Sequence, residues 1–166
     1  MKWILIVAGV AVAMVVIVFV LGATRPKEHT ASISFTLAKP DSVIWATVSN
    51  FEKVPEWNHD MVQSVRRIAD IDGRPAYREK YGSFEMTNVV RELIPNRRIV
   101  RDIIHEGAFS GSWTFELEPQ GQSTQVTITE RGRVDNAFFR GLMAFGDNRA
   151  TMKKYAAALV KKLGGA

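Results

Sequence analysis

The chain contains no cysteine, which excludes disulfides and thiolate ligands but does not choose a compartment. Histidine is scarce, with only His29, His59 and His105 in 166 residues. None has a metal-ligand partner at the usual spacing, so each is expected to be solvated or structural, and neither a metal nor a cofactor is expected. No glycine loop of the phosphate-binding kind follows a strand, and no nucleophile elbow is visible, although spacing alone does not exclude Ser-His-Asp chemistry. Like charges never run in a block. The net charge of +5 is scattered over sites such as Arg66-Arg67, Arg97-Arg98, Arg101 and Lys153-Lys154, so no nucleic-acid partner is expected. Internal repeats are absent, as is low complexity outside the N-terminal segment.

That segment is the first thing the chain does have. Trp3–Leu21 holds no charged or strongly polar residue, and as a helix it would be roughly 28 Å long, close to the hydrocarbon thickness of a bilayer. Lys2 would also suit the start of a secretory signal. However, signal cores run about 7–15 residues, no Ala-x-Ala site lies between the end of the run and Arg25, and Val20-Leu21-Gly22 substitutes poorly. An uncleaved single-pass membrane anchor over residues 1–22 is the expectation. Lys2 on one side and Arg25 with Lys27 on the other nearly balance, which leaves the orientation open. Removing residues 1–24, charged only at Lys2, leaves +4 on the remainder. That charge suits either mild attraction to anionic headgroups or a solvated surface.

The remainder is long enough for one domain, placed at 31–166 after a short linker at 23–30 interrupted by Pro26. Ser32–Leu37 alternates as a first strand. Pro40-Asp41 opens a helix that Asp41 or Ser42 would cap and Asn50 ends, and Phe51–Trp57 makes a second helical piece broken near Pro55. Turn signals then recur at Asp72-Gly73, Tyr81-Gly82-Ser83, Pro95-Asn96, Glu106-Gly107 and Pro119-Gln120-Gly121, roughly every 10 to 14 residues, the rhythm of an antiparallel meander. The strands fall at about Gln63–Ile71, Arg74–Tyr81, Phe84–Leu93, Arg98–Ile104, Phe109–Glu118 and Gln122–Val134. From Asp135 the pattern becomes helical to Leu163, with a break predicted near Gly146 because glycine weakens a helix by about 0.5–1 kcal/mol. Lys161, Lys162 and Gly164-Gly165 suit its end. The stripe Phe138, Leu142, Phe145, Met152, Tyr155, Ala156 and Leu159 should face the sheet. A meander closed by one helix is an α+β cup with a lid.

Strand parity identifies the inner face. Phe109, Gly111, Trp113, Phe115 and Leu117 are in phase. Val126, Ile128 and Val134 share a face with Glu130 and Gly132, while Phe84, Met86 and Val90 share one with Asn88 and Glu92, and Tyr77 and Tyr81 with Glu79. Three carboxylates, Glu79, Glu92 and Glu130, therefore stand on apolar parity, where an unpaired charge is costly. Either they lie near strand ends or pair with Arg78, Arg91, Arg101 or Arg131, or one or two project into a partly polar cavity, Glu130 foremost. The aromatics pose the same choice between solid core and pocket wall.

Several stretches resemble one family. Lys39-Pro-Asp-Ser-Val-Ile-Trp45, Val48-Ser-Asn-Phe-Glu52, Pro55-Glu-Trp57-Asn58, Tyr77-Arg-Glu-Lys-Tyr81, Val89-Val-Arg-Glu92, Gly111-Ser-Trp-Thr-Phe115 and Thr127-Ile-Thr-Glu-Arg-Gly-Arg133 resemble the START/Bet v 1-like superfamily, in its polyketide cyclase/dehydrase-like (SRPBCC) branch. The likeness covers about residues 31–163. It implies a helix-grip fold, a bent seven-stranded antiparallel sheet around the last helix with a hydrophobic tunnel between them. It also implies a hydrophobic ligand such as a lipid, sterol or polyketide, and no shared catalytic set.

The leading expectation is a membrane-tethered module binding a hydrophobic small molecule of lipid, quinone-like or polyketide-like character. Trp57, Phe84, Met86, Trp113, Phe115, Glu130, Phe138, Leu142 and Phe145 are its candidate ligand contacts. The alternatives are a cyclase/dehydrase-type enzyme using Glu130 or Glu79 as acid or base, and a structural or regulatory domain with no cavity. The bilayer is the other expected partner. Protein partners are unspecified.

Overall fold

The computed structural model describes residues 2–104 and 109–164; His105, the Glu106-Gly107 turn and Gly165 lie outside the described residues. An apolar helix α1 (Lys2–Ala23) is followed by β1 (Glu28–Leu37), α2 (Asp41–Val48), one 3-10 turn (Phe51–Lys53) and α3 (Val54–Asn58). Six strands come next: β2 (Ser64–Ile71), β3 (Arg74–Tyr81), β4 (Phe84–Ile94), β5 (Arg98–Ile104), β6 (Ser110–Gln120) and β7 (Ser123–Arg133). Two helices close the chain, α4 (Ala137–Met143) and α5 (Ala150–Leu163). The strands form one seven-stranded antiparallel sheet in the order β1-β7-β6-β5-β4-β3-β2. The architecture is the α+β sheet-and-helix arrangement that the meander and its terminal helix predict, in the helix-grip form that the resemblance implies.

The turns fall where the residues demand. Asp72 and Gly73 both take positive φ, 51° and 71°, as a two-residue hairpin matching the strand twist requires. Pairing begins earlier than alternation alone predicts. Glu28, His29 and Thr30, within the expected linker, already pair with Arg133, Gly132 and Arg131. Neither Asp41 nor Ser42 caps α2; its free amides at Val43 and Ile44 bond the Pro40 carbonyl instead. Pro55 does not break a helix but occupies the first turn of α3, where its missing N–H costs nothing.

The core lies between the sheet and α5. Met152, Tyr155, Ala156 and Leu159 are buried on the sheet side of α5 against Phe115, Val126, Ile128 and Leu37, and each such aliphatic contributes about 1.5–3 kcal/mol by leaving water. The predicted break is present between Met143 and Ala150, and it has a consequence that spacing could not show. α4 turns away from the sheet to lie along the end of α1, leaving Leu142 and Phe145 46% and 72% exposed. The stripe therefore does not face the sheet along its whole length. The α4 cap is Asn136 rather than Asp135, its side chain accepting from the Phe138 and Phe139 amides. α1 packs into the rest only near its end, around Gly22, and is long and apolar enough to cross a bilayer.

Candidate functional site

Between the concave face of the sheet and α4 lies a cavity of 490 Å³, inside the range of about 300–1,000 Å³ usual for small-molecule sites. Phe84 and Met86 of β4, Ile103 of β5, Trp113 of β6, and Phe139, Leu142 and Met143 of α4 supply its apolar lining. Polar residues also border it, Tyr81, Asn88, Arg101, Glu130 and His29 among them, although apolar atoms make most of its surface.

Register explains how Glu130 is held. It stands directly opposite Trp113 across β6 and β7, and its Oε2 accepts the indole Nε1–H at 2.7 Å. His29 pairs with Gly132, two positions further along β7, and its Nε2 lies 3.3 Å from Glu130 Oε1. A side chain on Gly132 would collide with the His29 imidazole, so glycine there admits the ring. His29 is thus not a solvated linker residue. It shares parity with Ala31, Ile33, Phe35 and Leu37, and counting back two residues along β1 would have found it.

Glu79 is different. It is 2% exposed and forms an ion pair with the equally buried Arg101, while its second oxygen accepts from the Tyr81 hydroxyl. Arg101 also lies 4.8 Å over the Phe51 ring. Burial opposes the charge on Arg101, but Glu79 beside it more than offsets that, so its pKa is raised. Burial, followed by the Glu79 charge, pushes the Tyr81 phenol well up, and burial alone is the leading cause for Tyr155. With both oxygens engaged, Glu79 is poorly placed to act as a free acid or base. Glu92 leaves the inner face, because a register shift between Val90 and Glu92 reverses parity; it lies 3.8 Å from Arg98.

Of the candidate contacts, Phe84, Met86, Trp113, Glu130 and Leu142 line the cavity. Four lie elsewhere. Trp57 packs edge-on to Tyr155, with ring centroids 5.2 Å apart, and Phe115 is solid core beside the same tyrosine. Phe138 sits against Phe139, and Phe145 stands in the open past the end of α4. The chain alone could not separate these, since wall and core draw on the same residue types. Two polar atoms of residues lining the cavity, Asn88 Nδ2 and Arg101 Nε, are buried with no hydrogen-bond partner among the described residues. Buried donors are nearly always paired, so these two are open to an acceptor.

A single helix gripped by a curled antiparallel sheet over a largely apolar cavity defines the START/Bet v 1-like class. The chain belongs to the polyketide cyclase / dehydrase and lipid transport family, whose model matches residues 28–164. Solved structures agree on the fold. The chain is similar to a START superfamily protein from Mycobacterium smegmatis at 21% identity and a TM-score of 0.65, covering 82% of this chain and 97% of that one. It is also similar to the ZhuI aromatase/cyclase from Streptomyces sp. R1128 at 13% and 0.67, covering 82% and 94%. Norcoclaurine synthase from Thalictrum flavum gives 14% and 0.64, covering 89% and 92%. No curated protein matches the sequence.

Proposed function

We propose that the protein is a membrane-tethered module that binds a hydrophobic small molecule carrying at least one hydrogen-bond acceptor. The observation that carries this reading is the 490 Å³ cavity, apolar in its walls and open beside α4, in a chain whose α1 could cross a bilayer. The family description, which includes lipid transport, supports the ligand class. Residues 1–22 would be the anchor, and the binding domain would begin with β1. A tether keeps the cavity near a ligand that lives in the membrane and so raises its effective concentration. The Asn88 Nδ2, which has no hydrogen-bond partner among the described residues, lies on a residue that lines the cavity and would donate to that acceptor. A cavity of this size speaks against the solid-core alternative.

The test is native mass spectrometry of residues 25–166 before and after incubation with a panel of lipids and quinones. Uptake of a stoichiometric apolar adduct is the expected outcome. A domain that stays empty throughout would overturn the proposal. Glu130 favours a second reading, acid–base catalysis, because among the described residues it pairs with Trp113 and His29 and with no arginine. Loss of turnover in Glu130→Gln with uptake intact would support catalysis, and equal turnover would remove this residue from it.

A further inference from the structure

Span and domain are not joined by a free tether. The end of α1 and the helix α4 touch backbone to backbone: a side chain on Gly141 would collide with the Val18 carbonyl, and one on Gly22 with the Ala137 carbonyl. Arg140, the only charged residue of α4, is 9% exposed. Its Nε donates to the Gly22 carbonyl at 2.9 Å, and its Nη1 to the carbonyls of Val134 and Asp135 at 2.9 and 2.7 Å. The outward face of α4 therefore keeps no charge. What it presents is Phe139, Leu142 and Met143, each between 44% and 49% exposed, followed by Phe145 at 72%.

We propose that α4 lies within the interfacial layer of the bilayer, fixed there by α1, and forms the sill over which an apolar ligand passes from lipid into the cavity. The proposal rests on the reading of α1 as an anchor. Depth supports it. The contact starts at Val18, five residues before the end of α1 at Ala23, or about 7.5 Å along the helix. Interfacial helices bury their apolar face about 5–10 Å into the headgroup and acyl boundary. Phe139, Leu142 and Met143 also line the cavity and are each about half exposed, so the same three side chains that would face lipid border the ligand. An apolar cluster of this kind on a free surface would need covering, and the lipid surface at which α1 ends is the cover that chain connectivity supplies.

The absence of cysteine makes the test clean. Single variants Leu142→Cys, Phe145→Cys and Gln122→Cys of the full chain are labelled with an environment-sensitive fluorophore. Each is reconstituted in phosphatidylethanolamine and phosphatidylglycerol vesicles, with and without a lipid spin-labelled near the top of its acyl chain. Gln122 lies at the β6–β7 turn, at one end of an 11-residue strand about 33 Å long whose other end, Arg133, pairs with Glu28. Quenching at 142 and 145 is expected to exceed that at 122 at least about threefold. Adding Gly141→Val to the Phe145→Cys chain should return its quenching to the level of the turn, with the sheet's circular dichroism unchanged. Equal quenching at all three positions, in a chain that resists alkaline carbonate extraction, would overturn the sill and leave the anchor standing. A chain that carbonate strips from the vesicles would overturn both together.

Discussion

Glu79 and Arg101 show how this domain tolerates charge in its core. Each is nearly sealed from water, the two form an ion pair, and Glu79 raises the pKa of Arg101. Removing one partner leaves a buried charge uncompensated, at a cost of about 3–5 kcal/mol. Arg101→Met is therefore expected to lower unfolding free energy by that amount in a denaturant titration, and the double variant with Glu79→Met should recover most of the loss. The neighbouring phenols make a pH prediction. Tyr81 and Tyr155 hold their protons more tightly in the fold than at their ordinary value of 10.0. Their contribution is thus complete below about pH 10 and falls as pH rises past it. Phenolate absorbance from these two should appear only together with loss of the native circular dichroism. A phenolate signal from both at pH values where the fold persists would contradict the burial.

Elements divide into those that local pattern describes and those it does not. Strands β2 to β7 begin and end within two residues of their sequence expectations, because positive-φ turn residues mark most of their ends. The helical stripe was harder. Its second half, Met152 to Leu159, packs on the sheet, whereas in its first half Phe138 and Leu142 belong to α4, Leu142 bordering the cavity, and Phe145 stands exposed past that helix. Periodicity reports that a helix has an apolar side, not which surface meets it. Met152→Ala and Leu159→Ala, both fully buried, should each cost about 2–5 kcal/mol in thermal or chemical unfolding. Phe145→Ser, exposed, should stay within about 0.5 kcal/mol. Loss of the Asn136 cap in Asn136→Ala should cost about 0.5–2 kcal/mol.

At the scale of the whole molecule, α1 and the domain complete one another. Without α1, the Gly22 carbonyl is gone from Arg140 and the backbone contact from Gly141, and α4 becomes a bare apolar edge. Residues 25–166 are expected to self-associate in sedimentation velocity, and Met143→Ser with Phe145→Ser should return them to monomer. A fragment monomeric without those changes would argue that α4 carries no exposed adhesive face.

Part of the site was legible because it obeys the strand period: Phe84, Met86, Trp113 and Glu130 fall on one face by counting alone, and His29 would have followed from the same count. The sequence by itself determined the meander, the apolar helix and the family, since turn chemistry, alternation and a 19-residue run without charge are local properties. Folding in three dimensions was needed to pair Arg101 with Glu79, to turn Glu92 away at a β4 register shift, and to place Trp57 and Phe115 in the core while Phe139 and Met143 border the cavity. These depend on register between strands and on where α4 lands, which are set by long-range packing rather than by any residue's neighbours in the chain.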